Sequence, residues 1–235
     1  MTMPRPEPTP GSPPEGTLVV GEARWPMAGA VLAAMILTYR LPDDLRPGPR
    51  WLLPLIEGLL LIAVIVGDPG AITRRSALLR GVSIGLVAVL VMGSLWTTVQ
   101  LIDTLLHGGQ ATNSADALLS AGASVWGSNT VAFALLYWEL DSGGAAARAH
   151  ASFAGRSLLR VDFAFPQQLN PELAPQGWRP RFLDYLYVGF TNALAFSPTD
   201  AMPLTAWAKI AMTVQSLISL AIIGLVIARA VNVLN

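Results

Sequence analysis

The sequence predicts an all-α fold: a polytopic membrane bundle of about six transmembrane helices, with both termini on the cytoplasmic side. Three observations carry this. Of 235 residues, 53% are hydrophobic and 13% charged, about half the roughly 25% charge of a soluble domain. The apolar residues are gathered into six blocks, and the basic residues between those blocks are unevenly shared between the two sides. Mean hydropathy is +0.52.

Residues 1–24 read as a Pro-rich cytoplasmic tail without structure, since Pro4, Pro6, Pro8, Pro10, Pro13 and Pro14 prevent helix nucleation and bury nothing. The apolar run starts only after Trp25, which fits an anchor and not a cleaved signal peptide. Residues 25–140 form a four-helix transmembrane region. Its first block, Trp25 to Tyr39, is short, about 22 Å as a helix, and needs Arg24 and Arg40 to snorkel. A Pro/Gly connector leads to Trp51–Gly67, interrupted by Pro54 and Glu57. The third block, Gly81–Leu106, and the fourth, Asp116–Leu140, are long enough to span. Residues 141–181 form a basic cytoplasmic loop, in which Ala145–Val161 has the two-sided pattern of a short interfacial helix. Residues 182–235 are expected to be a C-terminal transmembrane hairpin. Its first member, Phe182–Ser197, is a short span or a half helix, and its second is Ala206–Ala228. Between them SPTDAMPLT reads as a tight turn, with Pro198 at its second position and Asp200 capping the last helix.

With six spans and the N-terminus inside, the inner side holds eleven basic residues, Arg229 among them, and the outer side four: Arg40, Arg46, Arg50 and Lys209. The positive-inside bias selects this orientation. Trp25, Trp138, Tyr185 and Tyr187 then fall at the inner boundary and Trp51 and Trp207 at the outer one. The expected location is the bacterial plasma (inner) membrane, multi-pass.

Composition also excludes chemistry. Fifteen basic residues balance fifteen acidic ones, without the basic stripe that nucleic-acid binding requires. The chain has no Cys and only two His, which removes thiolate chemistry and nearly removes zinc. No cofactor motif occurs, and no H-E-x-x-H, G-x-S-x-G or phosphate loop, so an enzyme is not expected.

Four residues are candidates for a polar pathway through the bundle: Glu57, Asn129, Asp200 and Gln215. A carboxylate or amide in hydrocarbon is costly unless paired. Glu57 could hold a proton or cation, or be a carboxyl near the headgroup boundary. Asn129 and Gln215 fit interhelical hydrogen bonding. Glu139, Asp141 and Asp184 fit boundary carboxylates that pair with the loop arginines. Of those, Arg148, Arg156 and Arg160 are candidate contacts for anionic lipid headgroups.

The segment DYLY…FTN…AFSPTD…PLT…AK…VQSLISL…ARAVN, with RPGPRWLLPLIEGLLL and WELDSGG, resembles an uncharacterised family of bacterial, actinobacterial-type integral membrane proteins. That resemblance implies a polytopic membrane protein and no activity. More distantly, Phe190 and Thr191 followed by Asp200, Pro203 and Thr205 are similar to a potassium-channel pore region with a degenerate filter. Ala195–Thr199 stands where T-V-G-Y-G would, without either glycine and with Pro198 fixing φ, so potassium selectivity is not expected.

The sequence therefore ranks a non-catalytic accessory or partner-binding membrane protein first, with the bilayer and a membrane-protein partner or a second copy as its associates. An ion or small-solute channel or transporter is the alternative.

Overall fold

The computed structural model describes residues 21–72, 76–109, 113–150, 161–175, 178–195 and 201–234. They form a helical bundle whose α-helices are α1 (Trp25–Arg40), α2 (Leu52–Gly67), α3 (Ala77–His107), α4 (Ala115–Leu140), α5 (Ala145–His150), α6 (Pro166–Leu169), α7 (Phe182–Ala195) and α8 (Ala206–Leu234). Two short antiparallel ribbons join them. One pairs β1 (Glu22–Ala23) with β2 (Ala71–Ile72), and the other pairs β3 (Phe163–Ala164) with β4 (Met202–Pro203).

Local chemistry sets the ends of these elements. Pro26 in the first turn of α1 supplies a preset helical φ. Ser114 caps α4 by accepting a hydrogen bond from the Ala117 amide. Gly108 stops α3 with φ +88°, and Gly143 and Gly144 take φ +82° and +91° where the chain turns off α4. The expected block boundaries match the large helices to within a few residues.

Helix α4 is the centre of the bundle, with fourteen of its residues buried. Contacts along it set the direction of every neighbour. Ser83 of α3 donates to Glu139 at one end, while Leu101 and Leu105 pack with Leu118 at the other. Val226 of α8 meets Gly122, and Tyr137 meets Gln215. Both α3 and α8 thus run antiparallel to α4. Helix α2 runs antiparallel to α3, with Leu53 against Gly93 and Leu79 against Gly67.

The result defines two ends. Call the end that carries β1, β2, the C-terminal end of α4 and α5 the basal end. Leu41, Leu45, Leu101, Leu118, Ile222 and Val226 form a separate cluster at the opposite end. Helices α3, α4 and α8 run from one end to the other, and α1 and α2, 16 residues each, join the two ends through the connector that holds Leu41 and Leu45.

Helix α7 does not. It starts at the basal end, where Phe182 stacks on Trp138 at 6.0 Å, and runs antiparallel to α4 until Phe190 meets Trp126 at 5.8 Å. Its 14 residues cover about 21 Å, roughly half the length of α4. By Met202 the chain is back at the basal end, since β4 pairs with β3 and the Trp207 indole donates to Asp162 at 2.8 Å. Helices α7 and α8 therefore start at the same end and run in parallel.

This corrects four expectations. Of the two alternatives for the fifth block, the 14-residue α7 fits the half helix, and because it runs parallel to α8, residues 182–235 are not an antiparallel hairpin. Five helices join the two ends instead of six, and the C-terminus of α8 lies opposite the N-terminus instead of beside it. Trp207 and Lys209 belong to the basal end, not the far one. The expected cap, Asp200, lies outside the described residues, and α8 begins at Ala206 after β4. The tail, too, ends earlier than expected. Residues 1–20 lie outside the described residues, whereas Glu22–Arg24 are structural: Glu22 accepts from the Trp138 indole, and Arg24 pairs with Asp68 at 3.1 Å.

Candidate functional site

The half helix brings a polar cluster to the middle of the bundle. Gly189 makes this possible, because a Cβ there would stand 3.3 Å from both Ala134 Cβ and the Thr130 carbonyl. A glycine lets α7 lie this close to α4 without displacing either neighbour, which a Cβ would push by a few tenths of an ångström. One turn further along α7, Asn192 donates through Nδ2 to the Met212 carbonyl at 2.9 Å and to Gln215 Oε1 at 2.8 Å. Gln215 is fully buried. Its Oε1 also accepts from the Tyr137 hydroxyl at 2.7 Å, and its Nε2 donates to the Gly189 carbonyl at 2.9 Å. Ser216 donates to Asn192 Oδ1 at 3.1 Å. Three helices are tied together at the level where α7 ends. A groove of about 410 Å³ runs beside this cluster along α8, its polar side formed by Asn192, Lys209, Thr213 and Ser216.

A second network holds the basal end around Asp141, which has no exposed surface. Its Oδ1 accepts from the amides of Asp162 and Phe163 at 2.9 and 3.1 Å, and its Oδ2 accepts from the Tyr185 hydroxyl. One carboxylate thus fixes β3 to the end of α4 and to the first turns of α7. Asp162 extends the chain of contacts, receiving the Ser142 amide and the Trp207 indole. Glu22 receives the amide of Phe182 and the Trp138 indole. Burial raises the pKa of Glu22 above its ordinary 4.5, partly offset by those two hydrogen bonds and by Arg148 and Arg181.

Arg148 is only 3% exposed. It donates to the carbonyls of Trp138 and Asp141 and lies over the Tyr185 ring at 5.0 Å. This corrects its expected role at a lipid headgroup, because its guanidinium is enclosed by aromatic rings and backbone. Arg156 and Arg160 lie outside the described residues. Glu139 bonds to Ser83 and Asp184 to the Arg181 amide, so neither carboxylate is held by an arginine side chain in an ion pair among the described residues.

Of the candidate pathway residues, Gln215 joins the α7 cluster with its hydrogen bonds filled. Glu57 and Asn129, 2% and 1% exposed, are not among that cluster's hydrogen-bond partners. Glu57 Oε2, both amide atoms of Asn129 and the hydroxyls of Ser94 and Ser128 have no hydrogen-bond partner. Asp200 lies outside the described residues. Asn192 and Tyr137 were missed by sequence reasoning, because nothing in a linear pattern shows that 137, 192 and 215 meet. No group of three or more metal-ligating side chains occurs among the described residues.

No family model, curated protein or solved structure matches the chain.

Proposed function

We propose that the chain is an integral membrane protein with five spans and one re-entrant helix, and that it provides a pathway for small monovalent cations. Two helices, Ala77–His107 and Ala206–Val231, are long and apolar enough to cross a membrane. The outward faces of the others support the same reading, for Leu59, Ile62 and Leu119 are all more than half exposed. In water such a surface favours aggregation; in lipid it is solvated.

The observation that carries the functional reading is the reversal of the chain after α7. Backbone that breaks its helix at membrane depth is tolerated only where it is buried in protein or lines a water-filled cavity. Channels and transporters use that arrangement, with half-helix ends meeting their ion near the midplane. Here the C-terminal, carbonyl end of α7 is the end at mid-depth, and its partial negative charge favours a cation. The groove along α8, polar on the side of Asn192, Lys209, Thr213 and Ser216 and apolar on that of Pro203, Met212, Leu217 and Leu220, lies beside that point. Lys209 sits in the first turn of α8, where a long basic side chain carries its charge to the interface.

Charge supports an orientation with the basal end in the cytoplasm. Among the described residues it collects Arg24, Arg80, Arg148, Arg179, Arg181 and Lys209, against Arg40, Arg46, Arg50 and Arg229 at the other end, and the C-terminal end of α8 then faces outside. A potassium filter is not part of the proposal, since Ala195–Thr199 lacks both filter glycines.

Flux into liposomes tests the reading. Purified protein should pass sodium and potassium to similar extents and exclude chloride, and Asn192→Leu should reduce the flux. Vesicles as tight as empty ones would return the protein to the accessory class, and chloride permeation would refute the role given to the carbonyl end of α7.

A further inference from the structure

At the basal end, away from α7, the ends of α2, α3 and α4 enclose a cleft of about 260 Å³. Arg24, Asp68, Arg80 and Glu139 supply its charged lining, and Val64 and Leu79 part of its apolar lining. Three of the charged groups are built into the protein: Arg24 is 7% exposed, Asp68 8% and Glu139 6%. Arg24 uses Nη2 on Asp68 at 3.1 Å, but its buried Nε has no hydrogen-bond partner. A buried charged donor without an acceptor is costly. Arg80 reaches across the cleft to the Gly143 carbonyl, and Glu139 accepts from Ser83 with one carboxylate oxygen.

The mixed sign of this lining restricts its ligand. A simple anion placed on Arg24 and Arg80 also meets the carboxylates of Glu139 and Asp68. A simple cation placed on Glu139 meets two guanidinium groups. A ligand with both signs a few ångströms apart satisfies all four. The apolar rim says what the rest of that ligand is. Val66 and Leu78, which flank the contact between Gly67 and Leu79, are 73% and 77% exposed, an apolar edge at the level of a charged cleft.

We propose that this cleft holds the phosphoethanolamine headgroup of an aminophospholipid. Its phosphate accepts from Arg24 Nε and Arg80, its primary ammonium donates to Glu139, and its acyl chains leave over Val66 and Leu78. A trimethylated headgroup has no N–H to donate to Glu139, and an anionic glycerol headgroup has no cation to place there.

Native mass spectrometry on the full-length protein, equilibrated with an equal mixture of phosphatidylethanolamine, phosphatidylcholine and phosphatidylglycerol, tests this. Phosphatidylethanolamine should be retained about tenfold over each of the others, the size expected from one charge-assisted hydrogen bond. Arg80→Ala, at an exposed position, and Glu139→Gln should each bring the ratio close to one. Free phosphoethanolamine at the same concentration should fail to displace the lipid. Equal retention of the three lipids, or a preference for phosphatidylglycerol, overturns the zwitterion site. Displacement by the free headgroup overturns the lipid as its source. An unchanged ratio in Arg80→Ala overturns the assignment even if Glu139→Gln does not fold.

Discussion

The cluster formed by Tyr137, Asn192 and Gln215 makes a quantitative prediction. Gln215→Leu preserves volume approximately and removes three side-chain hydrogen bonds. Interhelical hydrogen bonds in membrane proteins average about 0.6 kcal/mol, so the bonds alone contribute about 2 kcal/mol. Asn192 keeps the Met212 carbonyl as an acceptor. The Tyr137 hydroxyl keeps nothing, and a buried orphan donor adds about 1–3 kcal/mol. The single variant should therefore lose about 3–5 kcal/mol, toward the high end of single-substitution effects. Tyr137→Phe alone removes one bond and leaves Gln215 Oε1 occupied by Asn192, for about 1 kcal/mol. In the double variant the orphan hydroxyl is gone, and the loss should be smaller than the two single losses together by about 2–4 kcal/mol. Equilibrium unfolding in mixed micelles, with all four proteins compared, measures that coupling. Additivity to within about 0.5 kcal/mol would refute the shared hydrogen bond and, with it, the seating of α7 against α8.

Three further predictions follow from the same contacts. Gly189→Ala should be tolerated with a small loss and Gly189→Leu should lose about 1–3 kcal/mol or displace α7 altogether, checked by unfolding and by flux in liposomes. The chain has no Cys, so Asn113→Cys, Glu172→Cys and Asn235→Cys can be labelled singly in intact cells with an impermeant thiol reagent; 113 and 235 should react and 172 should not, while protection at 235 would restore an even number of spans. Because burial raises the pKa of Glu22 in the folded state, its ionisation opposes folding: its contribution to stability is full below its ordinary 4.5 and is lost as pH rises through the raised value. The melting temperature of wild type relative to Glu22→Gln should fall from pH 4 upward, and parallel profiles would show that Glu22 ionises freely.

Much of the fold was legible in the sequence for a simple physical reason: a helix boundary is a local event. Pro26, Ser114 and Gly108 act within a turn of where they stand, and lipid-facing apolar residues need no partner to be recognised. Direction is not local. A 14-residue apolar helix is compatible with a thin span or a half helix, and nothing between Phe182 and Ala195 distinguishes them. What decides is the pairing of Phe163–Ala164 with Met202–Pro203 and the indole of Trp207 on Asp162, contacts across about forty residues. The same holds for the site. Gln215 stood out as an amide in an apolar helix, but its partners at 137 and 189–192 become visible only once α7 and α8 are parallel. Arg148 shows the reverse error: a basic residue in a basic loop reads as a headgroup contact, while the rings of Trp138 and Tyr185 hold it inside.

In the five-span reading proposed above, the positive-inside bias does not tell a re-entrant α7 from a spanning one, and the reason lies in two residues. In a six-span topology Lys209 lies outside and Arg229 inside. When α7 turns back, α8 is inverted, Lys209 moves to the basal side and Arg229 to the far side. Each carries one charge, so the division of the fifteen basic residues is eleven to four in either case. A helix with one basic residue near each end is neutral to inversion by this measure. The aromatic belt is equally blind, since Trp207 marks whichever interface receives the start of α8. The direction of α8 is therefore set by tertiary contacts and not by topogenic charge. Substitutions that unbalance the pair, such as Arg229→Gln or Lys209→Gln, alter the bias by one charge only, against four hydrogen bonds from Asn192, Tyr137 and Gln215 that require α8 to enter from the basal end.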